Sequence, residues 1–187
     1  MRALRTFAQA MSFTKDIGSS ASFDDDAAKL LWETLATLGE HSWLMETGVE
    51  YGRSTSLLAQ AALDMGHRLV LVDPFLTYSG TPLAYAVQWL RGLGGPFTLH
   101  VKPTIDLLPS ELPPRLDLLH VDGDHSTAGV ETDCNLLLPL VRFGGFACFH
   151  DFGREGLPEV WPVVERWMRR GWQHVGTAGT LGVWRRT

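Results

Sequence analysis

Short apolar runs alternate with amphipathic segments along most of the chain, and this alternation restricts the fold more than any other feature. The runs typical of strands are HSWLMETG, HRLVLVDP, PFTLHVKP, LDLLHVDG, GGFACFHD, GWQHVGTA and LGVWRR. Helix-like segments of roughly 10 to 15 residues separate most of them. Continuous apolar strands between helices are typical of a parallel sheet that is covered on both faces. The pattern therefore predicts an α/β fold with a doubly wound sheet.

The segment SFDDDAAKLLWETLATLGE predicts a helix before the first strand. Ser22 can cap it, Gly39 can end it, and the aspartates after Phe23 favour its N-terminal dipole. With 187 residues and 45% apolar composition, the chain is long enough for one domain with a full core. We expect residues 1–187 to form a single domain, with residues 1–40 as an N-terminal helical extension.

Charge and hydropathy exclude several classes of function. The net charge of -5 argues against nucleic-acid binding, which depends on clustered Lys and Arg. No apolar run approaches the roughly 20 residues that cross a bilayer, and the N-terminal stretch does not resemble a secretory leader. We therefore expect a cytoplasmic protein without nucleic-acid or membrane partners. Cys134 and Cys148 match no metal-ligand spacing and are expected to be buried free thiols.

The loop after the first strand, ETGVEYGRST, has the features of a cofactor site. Gly48 and Gly52 allow a sharp turn and a close approach to a ligand, and the following helix offers free N–H groups near Ser54 and Thr55. Asp73 ends the second strand about 20 residues later, where a carboxylate can accept both hydroxyls of a ribose. Together these residues predict a pocket for a nucleoside-type cofactor.

A second group of polar side chains follows the fourth and fifth strands. Asp122, Asp124 and His125 follow LDLLHV, and His150 and Asp151 follow GGFACF. We expect the two groups to converge, because these strand ends lie side by side in a doubly wound sheet. Two carboxylates and an imidazole suit a divalent cation with open positions.

The same residues also have ordinary structural explanations. Asp122 and Asp124 could form a polar turn around the glycine between them. His125 could cap the next helix or be exposed. His150 could be a hydrogen-bonded buried histidine, with Asp151 capping the next segment. These alternatives remain open from sequence alone.

ETGVEYGRST resembles the first motif of class I S-adenosylmethionine-dependent methyltransferases. HVDGDHS and GGFACFHD resemble the branch that contains macrolide and sugar O-methyltransferases and cephalosporin hydroxylase-like proteins. The resemblance covers roughly residues 43–151. It implies a Rossmann-like sheet of seven strands whose last strand is antiparallel. Glu50 stands where many class I members carry a second glycine, and the branch tolerates other residues there.

The resemblance also implies roles for individual residues. Glu46 would lie near the methionine part of the cofactor, Gly48 and Gly52 would pass beneath it, and Asp73 would hold the ribose. The full set of expected cofactor-binding residues is Glu46, Gly48, Tyr51, Gly52, Ser54, Asp73 and Asp122.

The activity implied is methyl transfer from S-adenosylmethionine to a hydroxyl of a small molecule, such as a sugar or natural product. Asp122, His150 and Asp151 would bind Mg²⁺ or a similar divalent cation. Asp124 or His125 would remove the hydroxyl proton, because no lysine lies near these strand ends.

The sequence leaves three alternatives to a methyltransferase open. A metal-dependent hydrolase is suggested by HVDGDH, which partly matches a His-x-His-x-Asp-His signature. A nicotinamide dehydrogenase would need a tighter Gly-x-Gly-x-x-Gly turn. The domain could also bind a cofactor or a partner protein without turnover. A lid over the site could come from the N-terminal helix, from residues 77–82, or from another subunit of a homo-oligomer.

Overall fold

The computed structural model describes residues 3–14, 23–75, 81–153, 157 and 159–187. The helices are α1 (Phe7–Thr14), α2 (Asp25–Ala36), α3 (Arg53–Met65), α4 (Thr81–Leu93), α5 (Thr127–Leu137) and α6 (Val160–Met168). The strands are β1 (Trp43–Thr47), β2 (Arg68–Val72), β3 (Phe97–His100), β4 (Leu116–Val121), β5 (Val141–Phe149), β6 (Trp172–Ala178) and β7 (Leu181–Arg186). Short 3-10 turns cover Thr104–Asp106, Pro109–Glu111 and Leu138–Leu140.

The strands form one seven-stranded sheet in the order β3-β2-β1-β4-β5-β7-β6. Neighbours among β1 to β5 are parallel, whereas β7 is antiparallel to both β5 and β6. This arrangement confirms the predicted fold class and the antiparallel last strand. Strand order reverses between β1 and β4, which is the point where ligands bind in open α/β sheets.

Apolar side chains pack on both faces of the sheet because alternate strand residues point to opposite faces. One core contains Leu118 of β4 with residues of α2 and α3, and the other contains Leu119 of β4 with residues of α5 and α6. Full burial of one such leucine contributes about 1.5–3 kcal/mol. The double core explains why the sheet strands are continuous apolar runs.

The N-terminal segment packs on the face that carries α3. Arg5 donates from Nε to Asp64 Oδ2 at 2.8 Å, and its Nη2 lies 2.6 Å from Asp64 Oδ1. Asp24 caps α2 by accepting from the Ala27 N–H at 2.8 Å. The expected cap, Ser22, lies outside the described residues, as do residues 77–80 of the expected lid.

None of the helices in the described part of the chain combines the length and the apolar character that a bilayer span requires.

Candidate functional site

The glycine loop joins β1 to α3 at the carboxyl edge of the sheet. Gly48 has φ +83° and Gly52 has φ +86°. A Cβ built on Gly48 would lie 1.8 Å from the Asp122 carbonyl oxygen, so the loop passes directly against the end of β4. Glu50 has φ +45°, a left-handed conformation that glycine adopts without strain. The loop thus keeps a glycine-like backbone at Glu50. Tyr51 follows it in the same turn and is half-buried.

Glu46 is fully buried at the end of β1 and holds the start of α3. Its carboxylate accepts hydrogen bonds from Ser54 Oγ and Thr55 Oγ1, each at 2.5 Å. His120 Nδ1 lies 3.2 Å from Glu46 Oε1. Glu46 therefore orders the helix N-terminus that the sequence predicted to face a cofactor, and its own contact with a cofactor stays a prediction.

Asp73 supports the glycine loop from the end of β2. Its Oδ2 accepts from the Val49 N–H at 2.7 Å and the Glu50 N–H at 2.9 Å, while Oδ1 accepts from the Phe75 N–H at 2.5 Å. A carboxylate offers about four acceptor positions. These three bonds therefore leave room for about one more donor, such as a ribose hydroxyl.

The ends of β4 and β5 bring the second group of polar residues together. Val121 and Phe149 are register partners in these strands, so the residues that follow them are neighbours. Ligand-capable atoms of Asp122, His125 and Asp151 all lie within 4.8 Å of one another. We call these three residues the carboxylate–imidazole cluster.

His125 lies between the two carboxylates of the cluster. Its Nε2 is 2.9 Å from Asp151 Oδ2 and 3.3 Å from Asp122 Oδ1. Hydrogen bonds to Asp122 and then to Asp151 raise the pKa of His125 to about 10. Burial opposes ionisation of Asp122, but hydrogen bonds from His125 and His150 hold the pKa of that carboxyl well below its usual range. Without a metal, His125 is therefore a cation at neutral pH.

His150, which the sequence predicted as a metal ligand, lies directly behind the cluster. Its Nδ1 is 2.9 Å from Asp122 Oδ1 and 3.6 Å from Asp151 Oδ2. Its Nε2 is 2.9 Å from Oγ1 of Thr180, in the turn just before β7. Both ring nitrogens of His150 therefore have protein partners. This matches the buried, hydrogen-bonded alternative, and its metal ligation stays a prediction.

Asp124, a predicted base, is exposed in the turn before α5. Its Oδ1 accepts from the Ser126 N–H at 2.9 Å. Ser126 in turn caps α5 by accepting from the Gly129 N–H at 3.1 Å. Asp124 therefore shapes the turn, as one alternative proposed, and its role in proton removal remains untested.

Backbone strain is concentrated at this edge of the sheet. Glu50, Phe75 and Asp151 have φ of +45°, +51° and +54° although none is glycine. The other non-glycine residue with positive φ in the described ranges, His41, precedes β1 at the opposite end. Such conformations cost about 1–3 kcal/mol each and cluster at functional sites.

Sequence reasoning missed two buried residues near the site, Phe23 and Asp133. Phe23 packs its ring 5.1 Å from that of His150 and 5.7 Å from that of His120. Asp133 on α5 accepts from Thr47 Oγ1 at 2.7 Å, and burial raises the pKa of its carboxyl. Asp133 occupies the buried stripe of α5, and an acid among apolar positions is a signal that could have identified it.

His120 is fully buried, and although its Nδ1 lies 3.2 Å from Glu46 Oε1, its Nε2 has no hydrogen-bond partner among the described residues. Buried polar atoms without partners cost about 1–3 kcal/mol and call for an explanation. His120 lies beneath the glycine loop, beside Glu46 and two residues before Asp122. The unpaired Nε2 therefore adds an energetic cost at this edge of the sheet.

An aromatic groove of about 390 Å³ lies beside the cluster, between α6 and β6. Phe152, which follows Asp151, stacks on Trp161 with ring centroids 4.3 Å apart. Glu165, Arg169 and Thr177 add polar groups to its lining. Trp161 therefore forms one aromatic wall of this groove.

Comparisons with known proteins agree with this geometry. A family model described as a methyltransferase domain matches residues 45–152, more than half of the 187 residues. No curated protein sequence matches the chain significantly.

Several solved structures share the fold at low sequence identity. CalS11, a TDP-rhamnose 3'-O-methyltransferase of calicheamicin biosynthesis, has a TM-score of 0.69 and 12% identity, covering 96% of this chain and 92% of CalS11. The O-methyltransferase NovP has a TM-score of 0.65 and 16% identity, with 85% and 78% covered. The SAH-bound methyltransferase PaMTH1 of Podospora anserina has a TM-score of 0.65 and 14% identity, with 97% and 87% covered.

The family match spans β1 to the turn after β5, and so includes the glycine loop, Asp73 and the carboxylate–imidazole cluster. The similarity in fold to CalS11 and PaMTH1 covers nearly the whole chain and so extends beyond that span. The chain therefore belongs to the methyltransferase-domain family and has the class I methyltransferase fold.

Proposed function

We propose that this methyltransferase uses S-adenosylmethionine to methylate a hydroxyl oxygen of a small molecule, with help from a divalent cation. The observation that carries the proposal is the pairing of Asp122 and Asp151, which lie within 4.8 Å beside the glycine loop. A sugar hydroxyl is the preferred acceptor, because CalS11 is named for methylating TDP-rhamnose.

The residues of the loop fit S-adenosylmethionine. Gly48 and Gly52 give the loop that leads into α3 its positive φ angles, and Asp73 retains acceptor capacity next to that loop. The neighbour PaMTH1 is SAH-bound. When bound, S-adenosylmethionine supplies a methyl group on a positively charged sulfur, which is a strong electrophile.

The residues of the cluster also fit a divalent cation. Asp122 and Asp151 supply oxygen ligands, and the imidazole beside them supplies nitrogen. Such an ion lowers the pKa of an oxygen that it contacts. Asp122 is ionised because its hydrogen bonds lower the pKa of its carboxyl, so it can bind a cation near neutral pH.

The chain itself must orient the acceptor and take up its proton. The glycine loop and the cluster follow adjacent strand ends, which supports binding of the methyl donor and the acceptor hydroxyl next to each other. Asp124 is exposed and can receive the proton through a carboxylate oxygen. His125 can do so only after it has lost the proton that its raised pKa retains. We therefore favour Asp124 as the base.

Calorimetry with S-adenosylmethionine, with and without MgCl₂, tests the cofactor directly. We expect binding in both conditions. Methylation of TDP-rhamnose, measured by mass spectrometry, should then be lost after chelation. Asp124→Asn should retain cofactor binding and lose about 10²- to 10⁴-fold in rate, whereas the exposed Asp26→Asn should behave as the wild type.

The main competing proposal is a domain that binds the cofactor without turnover. It predicts normal calorimetry but no methylated product with any hydroxylated acceptor. Full-rate methylation by protein treated with a chelator would contradict only the proposed role of the cation. Failure to bind either S-adenosylmethionine or its demethylated product would refute the whole proposal.

A further inference from the structure

The cluster offers a nitrogen donor together with its two carboxylates. His125 Nε2 lies 2.9 Å from Asp151 and 3.3 Å from Asp122. These distances show that the imidazole edge already lies between the two oxygen ligands. An ion centred among the three groups that displaces the proton on His125 Nε2 would therefore meet nitrogen as well as oxygen.

His150 is placed differently from His125. Its two ring nitrogens point to Asp122 and to Thr180, both at 2.9 Å. His150 can ligate an ion only by giving up one of these contacts. A histidine that holds a ligating carboxylate from behind is typical of the outer shell of metal sites.

The surroundings of His150 fix its ring further. Phe23 packs 5.1 Å from it, and the His150 side chain is 1% exposed. His125, in contrast, is 33% exposed and reaches the cluster from the loop before α5. The partly exposed His125 and the buried His150 are therefore expected to have different roles at the cluster.

The donor set distinguishes between classes of divalent cation. Mg²⁺ prefers oxygen ligands in near-ideal octahedral geometry and usually retains several waters. Imidazole suits first-row transition ions, whose affinity rises from Mn²⁺ through Co²⁺ to Cu²⁺. Replacing one oxygen ligand by imidazole therefore shifts the preference away from Mg²⁺.

We propose that the cluster binds a first-row transition ion through Asp122, His125 and Asp151, and that His150 is a positioning residue for Asp122. This inference rests on the proposed cation site and specifies its ligands and its metal class. It replaces His150 with His125 in the ligand set expected from sequence.

The test uses the full chain after removal of metals with a chelator. Co²⁺ is added while its visible absorption is recorded, and Mn²⁺ is added while nitrogen coupling is measured by pulsed electron paramagnetic resonance. Calorimetry then compares Mn²⁺, Co²⁺ and Mg²⁺ separately. We expect Co²⁺ to bind about tenfold or more tightly than Mg²⁺, with a nitrogen coupling from one imidazole.

Three variants separate the roles of the histidines. His125→Asn should abolish the nitrogen coupling. His150→Gln should keep the nitrogen coupling but lower the affinity for the ion by about 10- to 100-fold, as loss of an outer-shell partner does. His174→Asn, at an exposed histidine of β6 that contacts Thr177, should change neither measurement. Circular dichroism confirms that each variant is folded.

Each other outcome has a defined meaning. Nitrogen coupling that survives in His125→Asn but disappears in a folded His150→Gln overturns the assignment. Tighter binding of Mg²⁺ than of Co²⁺ overturns the metal class and leaves the proposed methyl transfer intact. Absence of binding by all three ions overturns both this inference and the cation of the proposed function, while S-adenosylmethionine calorimetry still decides the cofactor.

Discussion

Replacing Gly48 with alanine tests whether the contact between the glycine loop and β4 holds the site together. The new Cβ would lie 1.8 Å from the Asp122 carbonyl oxygen, 2.3 Å from its carbon and 2.8 Å from the Gly123 nitrogen. All three atoms belong to the backbone, so no side-chain rotation relieves the overlap. The loop and the end of β4 must therefore move apart.

The expected loss of stability has two parts. An L-residue at φ +83° costs about 1–2 kcal/mol in the left-handed region. The contact of 1.8 Å must also open to at least 3.0 Å, which strains two backbone hydrogen bonds. These run from the Asp122 N–H to the Thr47 oxygen at 2.8 Å and from the Gly48 N–H to the Val72 oxygen at 2.9 Å.

Each such hydrogen bond contributes about 0.5–1.5 kcal/mol net. Together with the strain, their loss lowers the free energy of unfolding by roughly 2–5 kcal/mol. For a chain of this size, one kcal/mol corresponds to about 2–4 °C in Tm. We therefore expect Gly48→Ala to lower Tm by roughly 4–20 °C.

Scanning calorimetry of three alanine variants separates the two parts. Gly52→Ala has the strain of φ +86°, but its Cβ meets no atom closer than 3.8 Å. Gly39→Ala has neither strain nor a neighbour within 4 Å. We expect Tm to fall most for position 48, by a few degrees for position 52, and hardly at all for position 39.

The reasoning is refuted if Gly48→Ala and Gly52→Ala lose the same Tm within error. That result would mean that the loop absorbs the overlap without losing hydrogen bonds.

Three further predictions concern buried ionisable groups. Asp73→Asn should weaken S-adenosylmethionine binding by about 1–3 kcal/mol through lost charged hydrogen bonds, which calorimetry measures; an unchanged affinity would contradict the role of this carboxylate. Burial, opposed by Asp117, lowers the pKa of His67 to about 4. As pH falls, His67 is therefore protonated in the unfolded chain before it is protonated in the folded one. The contribution of His67 to stability is therefore intact above about pH 6.5 and declines between that pH and 4, and His67→Gln should show a shallower fall of Tm in this window than the wild type. Burial raises the pKa of the Cys134 and Cys148 thiols, so a thiol reagent at pH 8 should label neither before denaturation, and rapid labelling of the native protein would refute their burial.

The centre of the sheet was predictable because β1, β2, β4 and the second half of β5 are buried and read as continuous apolar runs, whereas the edge strands β3 and β6 are partly exposed. All seven strands lie where the pattern placed them, and β7 is antiparallel as the resemblance implied. The convergence of Asp122 and Asp151 was predictable for the same reason, since β4 and β5 are register partners up to their last residues.

The arrangement of the histidines was not predictable from strand ends. His125 and His150 both belong to motifs that face the cluster. Which one lies between the carboxylates depends on loop geometry and on Thr180 in the turn between β6 and β7. Phe23 was missed because no periodic pattern links the start of α2 to the site. Asp73 matched the spacing of a ribose ligand, yet its bonds to the loop depend on the positive φ of Glu50, which composition does not reveal.

The strained residues at the carboxyl edge have a consequence for engineering heat resistance. Glycine at Glu50, Phe75 or Asp151 would relieve a left-handed conformation that costs an L-residue about 1–2 kcal/mol. A selection for thermal tolerance alone would therefore favour glycine at the half-buried Glu50, whereas glycine at Phe75 or Asp151 would also remove apolar packing or the contact with His125. Stability and activity are expected to trade off most sharply there, so a thermostable design should leave these residues untouched and seek its gains elsewhere in the chain.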